Sequence, residues 1–104
     1  MVHVVAIITA KPGQRAALLK LVHANLAAVR AEQGCIEYTP VVDVPGFGGP
    51  QAALGDDTFL FIEKWESADA LKLHFTQPHM LDYVAKSKDL IANRAVHVLG
   101  PVNM

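Results

Sequence analysis

One cysteine, Cys35, is all that the 104-residue chain contains. No internal disulfide can form, and a lone free thiol suits a reducing compartment. Charge of either sign is balanced away: nine Lys and Arg stand against ten Asp and Glu, a formal net charge of -1 at pH 7. There is no basic run or stripe, which argues against nucleic acid and anionic membrane as partners. No apolar run is long enough to span a bilayer. The opening Met1-Val2-His3-Val4 has no basic segment ahead of its apolar residues, so no export signal is expected and the protein is expected in the cytoplasm. Glycines are clustered at Gly46, Gly48 and Gly49 with no helix behind them, so no phosphate-cradling loop is indicated. Neither a Cys/His cluster nor a two-His-one-carboxylate spacing is present, and neither metal nor cofactor is expected.

Apolar residues are abundant, at 52% of the chain. That is enough for one core, and residues 1–104 read as a single domain. A core of this size gives modest stability, to which association would add.

The Val- and Ile-rich stretch from Val2 to Ala10 predicts a strand, closed by Lys11-Pro12-Gly13. From Gln14 to Gln33 the period becomes helical, with Leu18, Val22, Asn25, Leu26 and Val29 on one face and Gly34 as the stop. Cys35 to Val42 predicts a second strand. Asp43 to Asp57 is a long irregular connection carrying Phe47, with the character of a lid. Thr58 to Glu66 predicts the third strand. Ser67 then caps a helix with Asp69 in its first turn, running to about Gln77. Pro78 restarts it. His79 to Asn93 continues helical, with Met80, Tyr83, Val84, Ser87 and Ile91 on one stripe, and Arg94 to Leu99 predicts the last strand. The order β-α-β-β-α-β predicts an α+β, ferredoxin-like fold: a four-stranded antiparallel sheet with its helices on one side.

The strands do not alternate cleanly. Phe59, Phe61 and Trp65 oppose Leu60 and Ile62; Val5 and Ile7 oppose Val4, Ala6 and Ile8; Val96 and Val98 oppose Ala95 and Leu99. Helices cover only one face of such a sheet, so the other predicts a second protein surface. A homodimer packed through the helix-free face is the simplest arrangement.

Three ordered segments carry a family resemblance. They are Gly34-Cys35-Ile36-x-Tyr38, then Glu63-x-Trp65-Glu66-Ser67-x-x-Ala70-Leu71-x-x-His74, then Pro78-His79. Together they resemble the antibiotic-biosynthesis-monooxygenase family across nearly the whole chain. The resemblance implies a dimeric α+β barrel. It also implies an activity among those of the family: cofactor-free oxygenation of aromatic polyketides or quinols, haem degradation, or isomerisation of a phosphorylated compound. The haem-degrading members carry an Asn on the first strand, a Trp on the second helix and a later His. Here the first strand has no Asn, the Trp position is taken by His74 and the later position falls near Val84. Haem degradation is therefore rejected.

His74 is the first candidate for chemistry. It lies on a stripe with Leu71 and Phe75, and an imidazole facing a pocket there could take a phenolic or quinol proton. The alternative is a packing histidine bonded to backbone or to a carboxylate such as Glu63. Glu63 is accordingly either an orienting partner for His74 or half of an ion pair with an Arg. Tyr83 is a candidate proton relay. Trp65, Asn25, Tyr38 and Ser87 are candidate substrate contacts, each with a structural alternative as a core or interface residue. Together they outline a pocket between helices and sheet. No Arg or Lys is clearly placed in it. His79, five residues after His74, is not expected on the same helix face, and His3 and His97 approach each other only if the first and last strands are neighbours. Cys35 reads as a small buried residue.

The leading expectation is a cofactor-independent monooxygenase acting on a quinol or aromatic polyketide-like substrate, with the substrate as reductant. The alternatives are an isomerase of a small carbonyl compound and a non-catalytic dimeric ligand-binding or stress-response module.

Overall fold

A computed structural model describes residues 1–103. Strand β1, Val2–Ala10, forms where β-branched residues follow one another, and its Val4, Ala6, Ile8 and Ala10 are buried. Helix α1, Arg15–Arg30, buries Leu18, Val22 and Val29 at helical spacing. Strand β2, Cys35–Val41, and strand β3, Thr58–Trp65, follow. Helix α2, Ala68–His74, begins at Ser67, whose hydroxyl accepts from the Ala70 N–H at 3.1 Å. Helix α3, Pro78–Ser87, opens with the proline, whose fixed φ and missing N–H suit a first helical position. Strand β4, Ile91–Leu99, closes the fold.

The four strands form one antiparallel sheet in the order β2-β3-β1-β4, as the ferredoxin-like prediction requires. The core lies between one sheet face and the helices, with Phe59, Phe61 and Trp65 of β3 at its centre. On the opposite face Val5, Ile7, Leu60 and Ile62 are half-buried and Leu99 is exposed. β1 and β4 are neighbours, with Val5 opposite His97 and His3 opposite Leu99, so the two histidines stand diagonally on the helix-free face.

Two boundaries differ from the sequence reading. α1 stops at Arg30 rather than Gln33, because the N–H of Glu32 turns back to the Val29 carbonyl and that of Cys35 to the Glu32 carbonyl. The last helix stops at Ser87, not Asn93; a 3-10 turn over Lys88–Leu90 follows, and β4 starts at Ile91. Ile91 mimicked a helical position only because its strand also faces the core. The Lys11 N–H donates to the Leu90 carbonyl at 2.8 Å and Ala10 pairs with Ile91, so β1 captures this segment as a strand.

The two ends of the 43–57 connection are fastened to each other and to α1. The Asp43 carboxylate accepts from the N–H groups of Leu54 and Gly55, and Arg15 donates to the carbonyls of Gly55 and Thr58. These backbone bonds hold the Asp43 carboxyl below its usual pKa.

Gly34 joins α1 to β2 with φ +88°, and a Cβ there would stand 2.6 Å from the Cβ of Ala70 in α2. Its carbonyl accepts from Glu66 N–H at 2.8 Å. Both the left-handed backbone and the contact with α2 exclude a side chain. Gly34→Ala is expected to lower stability by roughly 2–3 kcal/mol, read as a lower urea midpoint with unchanged far-ultraviolet circular dichroism.

Candidate functional site

Helix α2 is only two turns long and turns Leu71 and His74 inward, both buried. The His74 imidazole lies against the Trp65 ring, centroids 4.7 Å apart, and meets the Tyr38 ring edge-on at 5.6 Å. Tyr38 stacks on Phe61 at 4.8 Å. These rings leave a small cavity between helices and sheet, of about 50 Å³. Its polar lining is Tyr38, Glu63, His74, Tyr83 and Arg94, set among apolar residues such as Ile8 and Met80. That space holds about one water molecule and no aromatic ring. Phe75, Arg94 and Val96 line it as exposed residues and so form its rim.

The partner of His74 is not Glu63. Nδ1 of His74 sits 2.9 and 3.1 Å from the two carboxylate oxygens of Glu32, in the turn after α1. Glu63 is neither bonded to His74 nor ion-paired with an Arg. It accepts instead from Nε1 of Trp65 at 2.9 Å. Glu32 had no sequence signal as a site residue, because it lies 42 positions from His74 and next to a helix stop. A carboxylate facing Nδ1 selects the Nδ1–H tautomer, so Nε2 carries the free lone pair. Burial lowers the His74 pKa, opposed by the hydrogen bond and charge of Glu32. The imidazole is therefore neutral at physiological pH and available as an acceptor.

Burial also acts on the neighbours. It raises Glu63 to about 7, offset in part by the Trp65 hydrogen bond and reinforced by the charge of Glu32. It pushes the Tyr38 phenol well above its ordinary range and raises Tyr83, with Ser87 and Arg94 pulling the other way. Tyr38 is thus a neutral hydroxyl near neutral pH, fit to donate a hydrogen bond but not to act as a base.

The remaining predicted residues fall around this centre. Trp65 is fully buried behind His74 and does not line the cavity. Asn25 lies at the seam of α1 and α3 rather than over the sheet, its amide donating to the Met80 sulfur at 3.3 Å. It borders a separate groove of about 270 Å³ between those helices, with His79, Asp82, Tyr83 and Lys86. Ser87 is buried beside an adjoining hollow shared with Val84 and Arg94. Phe75, expected inward, is exposed, since it terminates α2. Arg94, which the sequence reading left out of the pocket, lines it because β4 begins early and pairs Arg94 with Ile8, a residue of the helix-covered face. No residue of the 43–57 connection lines the cavity. Among the described residues no group of three His, Cys, Asp or Glu is arranged to hold a metal ion, and no helix is long and apolar enough to cross a membrane.

Comparison with known proteins adds to this geometry. A sequence model described as "Antibiotic biosynthesis monooxygenase" matches residues 1–86. The chain is 33% identical over 103 residues to an Escherichia coli K12 protein named "Probable quinol monooxygenase YgiN", covering 97% of this chain and 98% of that one. The solved structure of Rv0793 from Mycobacterium tuberculosis matches with a TM-score of 0.79 and 31% identity, over 99% of this chain and 96% of that one. PA3566 from Pseudomonas aeruginosa matches with a TM-score of 0.81 and 28% identity, over 98% and 94% of the two chains.

The raised Glu63 carboxyl has a consequence for stability. Its pKa moves from 4.5 in the unfolded chain to about 7 in the fold, so between those values the folded state binds more protons. Its contribution is fully present below pH 4.5 and is lost as pH rises through 7. Glu63→Gln is expected to be more stable than wild type above pH 7, the gap closing as pH falls toward 4.5. Urea unfolding across that range measures it.

Proposed function

The chain belongs to the antibiotic biosynthesis monooxygenase family, and from that premise we propose that it is a cofactor-independent monooxygenase acting on a quinol or aromatic polyketide-like substrate. The observation that carries this reading is the 2.9 Å bond from His74 to Glu32, which leaves Nε2 of a neutral, buried imidazole as the acceptor. A quinol or phenol hydroxyl gives its proton to that nitrogen. The ring anion passes one electron to O2, the substrate radical and superoxide combine with formation of a C–O bond, and the His74 imidazolium returns its proton to the peroxide anion. Loss of water from the resulting hydroperoxide leaves a new carbonyl. One oxygen atom enters the substrate, the other leaves as water, and the substrate supplies the electrons.

In this reading the Tyr38 hydroxyl and the protonated form of Glu63 donate hydrogen bonds to the bound ring oxygens, and Tyr83 relays protons. Trp65 packs behind His74 and limits its movement, while Asn25 holds α3 through Met80 and Ser87 closes the last turn of α3. Entry of a ring displaces Phe75 and Val96 at the rim, since the cavity of about 50 Å³ is smaller than a ring as it stands. Exclusion of bulk water then protects the intermediate.

A homodimer through the helix-free sheet face belongs to the same reading. Val5, Ile7, Leu60 and Ile62 crowd that face with Leu99 exposed beside them, and burial at roughly 25 cal/mol per Å² favours a twin surface there. The free thiol of Cys35 fits a cytoplasmic setting.

A second reading, proton-transfer isomerisation of a small carbonyl compound, is supported by one specific feature. Arg94 brings a cation to a cavity that also holds a carboxyl with a pKa of about 7, the pairing an anionic substrate needs for acid–base exchange.

Oxygen consumption by the metal-free protein with a panel of quinols separates the two. The monooxygenase reading expects uptake above the spontaneous rate, reduced about 10²–10⁴-fold in His74→Ala. Turnover that continues without oxygen would favour the isomerase instead. For the dimer, sedimentation is expected to give twice the chain mass, and the mass of one chain in Ile62→Lys. A wild-type protein sedimenting as a single chain would remove this part of the reading.

A further inference from the structure

Glu32 serves two histidines, not one. Besides His74, Nε2 of His79 lies 2.8 Å from Oε2 of Glu32, the oxygen that is also 2.9 Å from His74. The sequence spacing argued against this meeting. It happens because α2 ends at His74 and α3 begins afresh at Pro78, so the two rings do not share one helical rotation. Exposure rises along the chain of contacts, with the side chains of His74, Glu32 and His79 at 2%, 8% and 27%. His74 faces the inner cavity, and His79 borders the open groove between α1 and α3.

We propose that His79 is a positioning residue that sets, through Glu32, how strongly His74 holds a proton. Glu32 carries one negative charge, which lies between two imidazoles. With His79 neutral, the carboxylate is free to stabilise the imidazolium that His74 becomes when it takes a proton. With His79 protonated, the carboxylate is already neutralised, and a second cation would form beside the first. His79 thus links the acidity of the solvent-filled groove to the buried histidine. The coupling stands on the geometry of the cluster. Its consequence for catalysis rests on the reading of His74 as the base.

The other groups around the pair leave this arrangement intact. His74 faces Tyr38 from β2, Glu63 from β3, and Tyr83 and Arg94 across the cavity. Of these, only Glu63 and Arg94 change or carry charge near neutral pH, and neither is bonded to His74. On its own helix His79 has Asp82 and Lys86 in the groove, and these two pair with each other at 2.9 Å. α1 turns only uncharged residues to that groove: Leu21, Ala24, Asn25 and Ala28.

The test is a pH titration of the histidine side chains by ¹H–¹⁵N NMR on the full chain. His79→Gln keeps an N–H donor for Glu32 but cannot become a cation. It is expected to move the His74 protonation curve upward by about one pH unit. His79→Lys, a permanent cation at the same place, is expected to move it downward, as is Glu32→Gln. A His74 curve in folded His79→Gln that superimposes on wild type would overturn the proposal, as would an upward shift in His79→Lys. A histidine that merely packs would leave the curve unmoved. The acid limb of kcat/KM for quinol oxidation should shift with the NMR curve. A moved curve with an unmoved acid limb would sustain the coupling and remove His74 as the base.

Discussion

The close approach of α2 to the turn after α1 is the constraint on which the rest depends. Gly34 has no Cβ, and the Cβ of Ala70 occupies the place where one would be. That single missing methylene lets β2 leave α1 at a sharp angle while α2 packs directly over the turn. Glu32, two residues earlier, is thereby brought beside the inward face of α2 and the start of α3. Its carboxylate meets His74 and His79 there, and the 2.8 Å bond from Glu66 N–H to the Gly34 carbonyl fixes the end of β3 to the same point. Backbone geometry at one glycine thus lies beside the carboxylate on which both histidines converge.

The second organising feature is desolvation. Tyr38, Glu63 and His74 are all buried, and water is absent from most of their surface. In that setting each group is driven to its neutral form: the phenol and the carboxyl hold their protons more tightly and the imidazole less. Glu32 is the anion at the centre of this group, and it is held by two imidazole contacts rather than by an Arg or Lys. A neutral imidazole beside neutral donors is the arrangement on which the proposed proton abstraction draws. Arg94 stays at the edge, where it meets solvent.

Helices cover one face of the sheet and leave the other to Val5, Ile7, Leu60 and Ile62. On the covered side, β4 is reached by little of the helical layer, so Val96 and Val98 remain exposed. The cavity opens at this thin edge, between Phe75 and β4. Deeper in, the cavity is walled by buried side chains such as Phe61, Glu63 and His74, whereas Phe75, Arg94 and Val96 at the rim are exposed.

Local pattern was enough for much of this protein. The Val/Ile run of β1, the Ser67 cap, Pro78 at a helix start and the glycine after α1 are signals confined to a few neighbouring residues, and they placed the elements and their order along the chain. His74, Tyr38, Glu63 and Tyr83 were identifiable as inward polar residues because helix and strand periods dictate facing. Ile91 was misassigned, since a helical stripe and a core-facing strand position look alike until the partner strand is known. Which polar group meets which was beyond the sequence. Glu32 bonds His74 across 42 residues, His79 joins them through a helix break, and Arg94 enters the cavity through the register of β1 with β4. A sequence fixes facing because neighbours share a backbone. Contacts between distant residues follow from how rigid elements settle against each other, and only the tertiary structure decides that.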